Sequence, residues 1–503
     1  MRTKTPKVNV KNGCQTTCRN SGWLNSPVLY PLLLAVIAMP LVAPTNSHAY
    51  VSSPTTAIAV NNVRAVQYGK SLFIYGDQYD NAIRIGQYYN GDMFVEGLQC
   101  DGVETYVNHN SDEELEVFSG VVHVYAFMGA GHDCVAVSNN LNRLRNCLGL
   151  GEEGIGQSKG YAGPKNEIFI PGILQIITSA GEDSVYIGGV ETGGAMTVIT
   201  NSGDDEVGMC DFYVGTRLLV STGNDEDQVR IAGVGHYGDS RYLFQEPTNF
   251  VRYTATINTG IGDDEVCIED LFTELGGLNV YTLAGNDDAF IGDCYPLSGP
   301  VERLAIEGRH GFVDIGKTLR LDMGSGDDNG AIGNTLVGTH LVVAQGTGED
   351  DLWIDDVSVN QLAILDTGRD NDFVWIAGFD TGADLILNLQ HGDDRAAIYN
   401  AYVGSNLFAT LGTGNDDLTI DYVGIAGMTY INGGGQNDYV DIYDSVSNWF
   451  RIFMGSGDDV LYVDYSSAKS LMARGGTGVD CIDNYGYFDN EDISEFEYEC
   501  GED

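Results

Sequence analysis

The chain has 503 residues, of which 66 are glycine and only 11 proline, and 43% of its residues are hydrophobic. This composition is too apolar for a disordered low-complexity chain, so we expect a folded protein punctuated by glycine turns. The formal net charge is −47. A field of that sign repels nucleic acid and anionic lipid and concentrates cations, which argues against a nucleic-acid partner.

Residues 1–49 are predicted to be a secretory signal peptide. An apolar run at 29–42 is followed by the small-x-small sequence Ser47-His48-Ala49, which fits a cleavage site. The alternative is a signal anchor, but the run is shorter than the ~20 residues that a spanning helix needs. We therefore expect no stable membrane insertion after cleavage, and a protein that is extracellular, at the cell surface or periplasmic. The basic residues before the run are Arg2, Lys4, Lys7, Lys11 and Arg19.

The cysteines agree with export. Eight remain after residue 49, and an even number in a secreted chain predicts disulfides, although the sequence does not choose among the pairings. We expect Cys481 to pair with Cys500 and hold the C-terminus. Because there is no Cys-x-x-Cys motif, zinc or thioredoxin-like chemistry is not expected.

Taken in order, the exported part divides into four predicted regions. Residues 50–138 form an N-terminal β region with degenerate repeats, and residues 139–167 form a loop that leaves the scaffold. Residues 168–485 form a solenoid of repeated glycine turns, and residues 486–503 form an acidic C-terminal cap.

The solenoid is predicted from a repeat of about 22 residues. Each repeat has a glycine turn, an acid and an alternating strand, as in Gly412–Ile420 and Gly455–Val463. Two short strands per repeat fit one coil of a right-handed parallel β-helix with alternate side chains in a stacked core. A β-sandwich or propeller is the alternative fold, but it would need antiparallel hairpins with recurring turn types.

The acids of these turns are predicted calcium ligands. Equivalent residues of successive coils stack ~4.8 Å apart, so a column of carboxylates needs cations, protons or solvent to offset its repulsion. Ca²⁺ suits such a column because it accepts six to eight oxygen ligands with flexible geometry. The predicted ligands are Asp133, Asp264, Asp328, Asp350, Asp416, Asp459 and Asp480 in Gly-x-Gly-x-Asp turns, and Asp205, Asp225, Asp287, Asp394 and Asp438 in looser turns.

One turn carries a family resemblance. The sequence Gly475-Gly476-Thr477-Gly478-Val479-Asp480-Cys481-Ile482 resembles the calcium-binding nonapeptide of hemolysin-type (RTX) repeat proteins. The resemblance implies a β-roll whose turn aspartates and glycine carbonyls bind Ca²⁺ between coils after export. This chain departs from the family by having one motif per coil instead of tandem nonapeptides, so we expect several weak sites. Looser copies of the motif also end at Asp183 and Asp370.

Two functional hypotheses follow. The favoured one is an exported calcium-binding β-solenoid with a structural, adhesive or surface role, with extracellular polysaccharide or other surface proteins as candidate partners. The alternative is a β-helical carbohydrate-active enzyme, either a polysaccharide lyase or a glycoside hydrolase. No catalytic residue is assigned, because Gly-Asp and Asn-Asp pairs are also good turn formers and no motif of a known catalytic type occurs.

Overall fold

The fold comes from a computed structural model that describes residues 61–100, 103–108, 115–148, 150, 167–233, 248–292, 294 and 311–500. These residues belong to one compact unit, Ile58–Asp503. The predicted signal peptide at 1–49 lies outside the described residues.

The chain winds into a parallel β-solenoid of about 13 turns with a spacing of about 22 residues. The strand register shows this spacing directly, because Leu341 pairs with Ala363, which pairs with Leu385 in the following coil. The predicted all-β solenoid with coils of about 22 residues is therefore confirmed.

Each coil presents three strand segments, which stack into three faces. Face A contains the segments that directly follow an aspartate turn, such as 351–355. A residue with positive φ, such as Asp356 (φ 54°), then bends the strand into face B, such as 357–359. Face C contains the segments that precede the next turn, such as 363–367.

The core lies inside these three faces. Along each strand alternate residues point inward, and Leu352, Ile354 and Val357 are fully buried. Each such aliphatic side chain contributes about 1.5–3 kcal/mol through burial. The period-2 alternation in the sequence is therefore the cause of the stacked apolar core.

The N-terminal coils are less regular. Strands of this region pair antiparallel, β1 with β2 and β3 with β4, beside parallel pairs that join it to the solenoid. Its strands are β1 (Asn61–Tyr68), β2 (Ser71–Tyr75), β3 (Ala82–Gln87), β4 (Met93–Gly97), β5 (Gln99–Cys100), β6 (Val103–Val107), β7 (Leu115–Phe118), β8 (His123–Phe127) and β9 (Cys134–Val137).

A helix occupies part of the segment for which a loop is predicted. Helix α1 (Leu141–Leu148) lies on face A, where Leu144 and Leu148 pack against Gly188 and Gly208. A Cβ on Gly188 would come within 2.6 Å of Leu144 Cδ1, so the absence of side chains there makes room for the helix. The rest of the predicted loop lies largely outside the described residues.

The regular coils run from β10 to β41. Their strands are β10 (Ile168–Ile170), β11 (Leu174–Ile177), β12 (Ser184–Thr192), β13 (Met196–Ser202), β14 (Glu206–Val214), β15 (Leu218–Asn224), β16 (Gln228–Ala232), β17 (Phe250–Val251), β18 (Ala255–Ile261), β19 (Glu265–Ile268), β20 (Asp270–Thr273), β21 (Leu278–Tyr281), β22 (Asp288–Ile291), β23 (Phe312–Ile315), β24 (Leu319–Ser325), β25 (Asn329–Val337), β26 (Leu341–Thr347), β27 (Asp351–Val359), β28 (Ala363–Arg369), β29 (Phe373–Thr381), β30 (Leu385–Asn388), β31 (Arg395–Tyr399), β32 (Tyr402–Val403), β33 (Leu407–Thr413), β34 (Asp417–Asp421), β35 (Gly424–Ile425), β36 (Met428–Gly435), β37 (Tyr439–Tyr443), β38 (Trp449–Ser456), β39 (Val460–Thr477), β40 (Cys481–Ser494) and β41 (Tyr498–Glu499).

Three disulfides connect described cysteines: Cys147–Cys210, Cys267–Cys294 and Cys481–Cys500. The expected pairing of Cys481 with Cys500 is present. It ties the end of the chain to face A of the last coil, since Tyr498 pairs with Cys481 in the same strand ladder.

The turn glycines are required by their backbone angles. Gly414 has φ 147°, and a Cβ there would meet the carbonyl oxygen of Gly392 at 1.5 Å. We expect Gly414→Ala to lower the free energy of unfolding by about 1–3 kcal/mol, because both the angle and the close approach exclude a side chain.

Gly435→Ala is the matched control for this substitution. Gly435 lies in the neighbouring turn, where Thr413 and Ser456 hold the same register, and its φ is not positive. Urea unfolding of the two variants is the measurement. Equal losses of stability would contradict the assignment of strain to Gly414.

Candidate functional site

The candidate site is the column of aspartates that closes the glycine turns. In the turn Gly412–Asp416, both Gly412 (φ 112°) and Gly414 (φ 147°) have positive φ. These angles turn the chain sharply enough that Asp416 points into the solenoid, where it is only 1% exposed. A short acidic side chain is thus buried by the geometry of its own turn.

Fourteen such residues form what we call the inner ladder, and each is 0–3% exposed. The backbone N–H of each inner aspartate except the last, Asp480, donates to Oδ1 of the inner aspartate in the next coil, over 2.8–3.1 Å. The members are Asp133, Asp183, Asp205, Asp227, Asp264, Asp287, Asp328, Asp350, Asp372, Asp394, Asp416, Asp438, Asp459 and Asp480.

The two ends of the inner ladder use residues other than aspartate. At the N-terminal end, the N–H of Asn81 donates to Asp133 Oδ1 over 2.9 Å. At the C-terminal end, the N–H of Asp480 donates to Glu497 Oε2 over 2.6 Å. The turn N–H groups have no strand partner in this direction, so the carboxylates satisfy donors that would otherwise be buried and unpaired.

A second, exposed column runs beside the first in the opposite direction. Here, in most coils, the side chain of the residue before the inner aspartate accepts from the N–H of the equivalent residue in the next coil. Asp393, for example, accepts from the N–H of Asn415 over 2.8 Å, and Asn415 accepts from Asn437 over 3.2 Å. We call this column the outer ladder. Its acceptors are Asp80, Asp204, Asp263, Asn286, Asp327, Asn371, Asp393, Asn415, Asn437 and Asp458.

The two ladders differ in composition. The ten acceptors of the outer ladder are six aspartates and four asparagines, a mixture that is expected where one acceptor oxygen is enough. In other coils the position holds His132, Glu182, Glu226, Glu349 or Val479. The inner position is Asn81 in the first coil and Glu497 in the last, and it is aspartate in all fourteen coils between them. Because asparagine offers the same acceptor, this uniformity indicates that the second carboxylate oxygen of the inner residue has a role of its own.

The protein offers that second oxygen few partners. In six coils a threonine hydroxyl interacts with the inner carboxylate, namely that of Asp183, Asp205, Asp227, Asp264, Asp287 and Asp372. Even so, Oδ2 of every inner aspartate is buried and accepts no hydrogen bond of acceptable geometry. It faces the column of residues that lie just before the turn glycines: a Cβ added to Gly475 would lie 2.7 Å from Asp480 Oδ2. An ionised oxygen in this position is costly unless a cation or a proton accompanies it.

Burial raises the pKa of the inner carboxyl groups. Loss of hydration is the largest cause, opposed by the hydrogen bond from the preceding N–H and reinforced by neighbouring aspartates. The pKa is about 6 for Asp416, about 7 for Asp394, and about 8 for Asp372 and Asp438. In the absence of a cation, part of the ladder therefore carries protons near neutral pH.

Most of the predicted ligands lie in the inner ladder. Asp133, Asp205, Asp264, Asp287, Asp328, Asp350, Asp394, Asp416, Asp438, Asp459 and Asp480 are all members.

Asp225 is placed differently from the prediction. It is exposed and, with φ 81°, occupies the position of the second turn glycine, since the N–H of Gly203 in the preceding coil donates to its side chain. Asp227 is the inner residue of that coil. The displaced turn Gly368-Arg369-Asp370-Asn371-Asp372 shows the same pattern, with Asp372 buried.

Sequence reasoning missed Asp227 and Asp372 as ligand candidates, whereas Asp183 ends a looser copy of the motif and lies in the inner ladder. Each stands two residues before the first inward aliphatic residue of face A, as Asp227 does before Val229 and Asp372 before Val374. Counting back from the strand, instead of forward from the glycine, would have identified them.

The inner carboxylates are arranged as a column and not as a cluster. Among the described residues, the only His, Cys, Asp or Glu side chains that bring three ligand atoms within 4.8 Å of one another are Cys267, Glu269 and Cys294. That group does not suit an ion, because its two sulfurs are joined in a disulfide. A cation in the column would therefore take one or two carboxylate oxygens from adjacent coils and complete its shell with turn carbonyls and water, a donor set that fits Ca²⁺.

Comparisons with known proteins were also made. No protein-family model matches the chain, and neither the curated proteins nor the solved structures contain a match. In the part of the chain that the structure describes, no helix is both long and apolar enough to cross a membrane.

Proposed function

We propose that this protein is an exported structural β-solenoid whose inner ladder binds Ca²⁺. The observation that carries the proposal is the row of fourteen buried Oδ2 atoms, none of which accepts a hydrogen bond of acceptable geometry. A row of carboxylates about 4.8 Å apart offers bridging positions between consecutive turns, and Ca²⁺ accepts such oxygens at variable angles.

The choice of Ca²⁺ over protons rests on three supports. Between Asn81 and Glu497 the inner position is aspartate in all fourteen coils, although a protonated carboxyl could be replaced by an amide of the same shape. The resemblance of the turn Gly475–Asp480 to the hemolysin-type repeat points to the same ion. The predicted signal peptide would deliver the chain to surroundings where calcium is abundant enough for weak sites.

In this role the ion is part of the scaffold. Each bound Ca²⁺ cancels repulsion between neighbouring inner carboxylates and joins two coils, so the solenoid becomes stiffer outside the cell than inside it. A rigid rod of this kind suits a surface or adhesive protein that binds extracellular polysaccharide or other surface proteins.

Calcium titration of the purified protein tests the proposal. At pH 7.5, Ca²⁺ at ten times its Kd should stabilise the fold by about 1.4 kcal/mol per site, and equilibrium dialysis with ⁴⁵Ca should count several sites. Mg²⁺ at the same concentration should stabilise less, because it demands a stricter octahedral shell.

Two double variants locate the sites. Asp416→Asn with Asp459→Asn alters the inner ladder, while Asp393→Asn with Asp458→Asn makes the same charge change in the outer ladder. We expect the inner pair to lower the number of bound calcium ions and the outer pair to leave that number unchanged. Identical thermal unfolding in Ca²⁺ and in EDTA, with no calcium retained in dialysis, would refute the proposal.

A further inference from the structure

Face A changes character along the solenoid. In the N-terminal coils its outward positions include Gly188 and Gly208, and helix α1 covers them together with the buried Tyr186. In the C-terminal coils the same register positions carry aromatic rings and carboxylates. We call the second part the aromatic–acidic face. It consists of Asp351, Trp353, Asp355, Phe373, Trp375, Arg395, Tyr399, Asp417, Asp421, Tyr439, Asp441, Tyr443, Tyr462, Asp464, Asp483 and Tyr485.

Aromatic and acidic residues alternate along one line of this face. The strand register stacks Tyr399, Asp421, Tyr443, Asp464 and Tyr485 in five successive coils. Tyr443 is 37% exposed and Tyr485 is 65% exposed. Each ring is therefore flanked by a carboxylate one coil away, at the ~4.8 Å spacing of a parallel ladder.

A second line of rings lies beside the first. Trp353 and Trp375 have ring centroids 6.1 Å apart, and Trp375 lies 4.4 Å from Tyr399. Both tryptophans are partly exposed. Large aromatic rings that are exposed to solvent on a sheet face are unusual. Small residues can occupy the same face, as the glycines under α1 do.

The charges of this face are poorly balanced. Among the residues of the aromatic–acidic face, Arg395 is the only base, and it lies 3.7 Å from Asp417 at an exposed position. Burial together with Asp464, Asp421 and Asp417 raises the pKa of Asp441. The carboxylates therefore repel one another, and a positively charged partner would relieve that repulsion.

The chain itself shows how a basic segment binds face A. Helix α1 carries Arg143, whose Nη2 lies 2.6 Å from Asp211 Oδ2. Asp211 is the bend residue at the edge of face A (φ 54°), and Tyr422 and Tyr465 hold the same bend with φ 55° and 52°. The same edge of the solenoid thus already accepts an arginine-bearing segment in one place.

We propose that the aromatic–acidic face is a docking surface for an arginine- and lysine-rich polypeptide segment of a partner protein. Guanidinium and ammonium groups stack on the tyrosine and tryptophan rings while the intervening carboxylates neutralise their charge. This interaction goes beyond the calcium-dependent structural role and does not depend on it.

Tryptophan emission gives a local test. The chain has four tryptophans, and in a Trp23→Phe, Trp449→Phe background all emission comes from Trp353 and Trp375 on this face. We expect a deca-arginine peptide to change that emission at 0.15 M salt, and deca-glutamate to leave it unchanged. Circular dichroism must first show that the background variant keeps its β-structure.

Matched variants separate this face from the general negative charge of the protein. Tyr443→Ala, and Asp441→Asn with Asp464→Asn, should each weaken binding of fluorescein-labelled deca-arginine about tenfold, as lost cation–π and charge contacts require. The controls lie on the other faces: Tyr430→Ala, and Asp366→Asn with Asp380→Asn. They should stay within about twofold of the parent, a smaller change than one such contact contributes.

Three results would overturn the proposal. Equal weakening by the face variants and their controls would mean non-specific attraction. Binding of uncharged cellohexaose with the same emission change, without binding of deca-arginine, would assign the face to sugars. Full protection of Trp353 and Trp375 from acrylamide in the free protein would mean that another segment of this chain already covers the face.

Discussion

Replacing Asp394, Asp416 and Asp438 together by alanine is expected to lower the free energy of unfolding by about 3–9 kcal/mol. Each substitution removes the acceptor of one buried turn N–H: those of Asp372, Asp394 and Asp416. A buried donor left without a partner costs about 1–3 kcal/mol. Since whole domains are stable by only about 5–15 kcal/mol, the C-terminal coils should unfold at or near room temperature.

The matched control replaces the same three residues by asparagine. Asparagine keeps the Oδ1 acceptor and has the shape of a protonated aspartic acid, so in EDTA at pH 8 this variant should be as stable as the parent or more stable. In Ca²⁺ the order should reverse, because an amide cannot replace the carboxylate as a ligand. Urea unfolding followed by circular dichroism measures both. Similar losses for the alanine and asparagine variants in EDTA would contradict the role of Oδ1 as an N–H acceptor.

In EDTA the protein is expected to lose stability steadily as the pH rises from about 5 to 8. The folded-state pKa of the inner carboxyl groups is raised above the unfolded value of 3.8, to about 6 for Asp416 and about 8 for Asp372. A raised pKa means that the folded state holds its proton more tightly than the unfolded chain. The corresponding stability is complete below pH 3.8 and is lost as the pH passes through the folded pKa values.

Calcium should remove this dependence. A metal ligand must be deprotonated, so Ca²⁺ binding releases protons and strengthens as the pH rises. Thermal unfolding at pH 5, 6, 7 and 8, with EDTA and with 10 mM Ca²⁺, gives the comparison. The triple asparagine variant should show a shallower slope in EDTA than the parent. A parent whose stability in EDTA rises between pH 5 and 8 would show that the inner aspartates are ionised and stabilised in another way.

The fold was predictable because the sequence pattern that produces it is periodic. The alternation of Leu418 and Ile420 after one turn, repeated as Val440 and Ile442 after the next, specifies both the strand and its inward face. A fixed spacing of about 22 residues then stacks equivalent positions. In a regular repeat the long-range structure can be predicted from the sequence, because each coil contacts only its neighbours.

The local register was less predictable. Turns in which Asp225 or Asp370 replaces the second glycine look like shifted copies of Gly-x-Gly-x-Asp, and only strand pairing shows that Asp227 and Asp372 are the buried residues. Such replacements are tolerated because aspartate can adopt a positive φ at modest cost, 81° at Asp225 and 77° at Asp370. The carboxylate in this position remains in solvent.

Helix α1 was not predicted, for a different reason. Eight residues hold little more than two turns, which is too short for a clear 3.6-residue period. Its stability comes from glycines more than 40 residues away, at 188 and 208, and from the disulfide between Cys147 and Cys210. No feature of the local sequence predicts contacts with such distant residues.

The opposite directions of the two ladders have a consequence for the length of the molecule. From Asp133 to Asp459 each inner N–H bonds forward to the next coil, and in most turns the outer N–H bonds back to the previous one. The lower surface of one coil can therefore pack on the upper surface of any other. Deletion of 373–394, for example, would join Asp372 to Arg395, which already holds the register of Phe373 one coil later. The number of coils can therefore change by whole units, while Asn81 and Glu497 still close the two ends of the inner ladder.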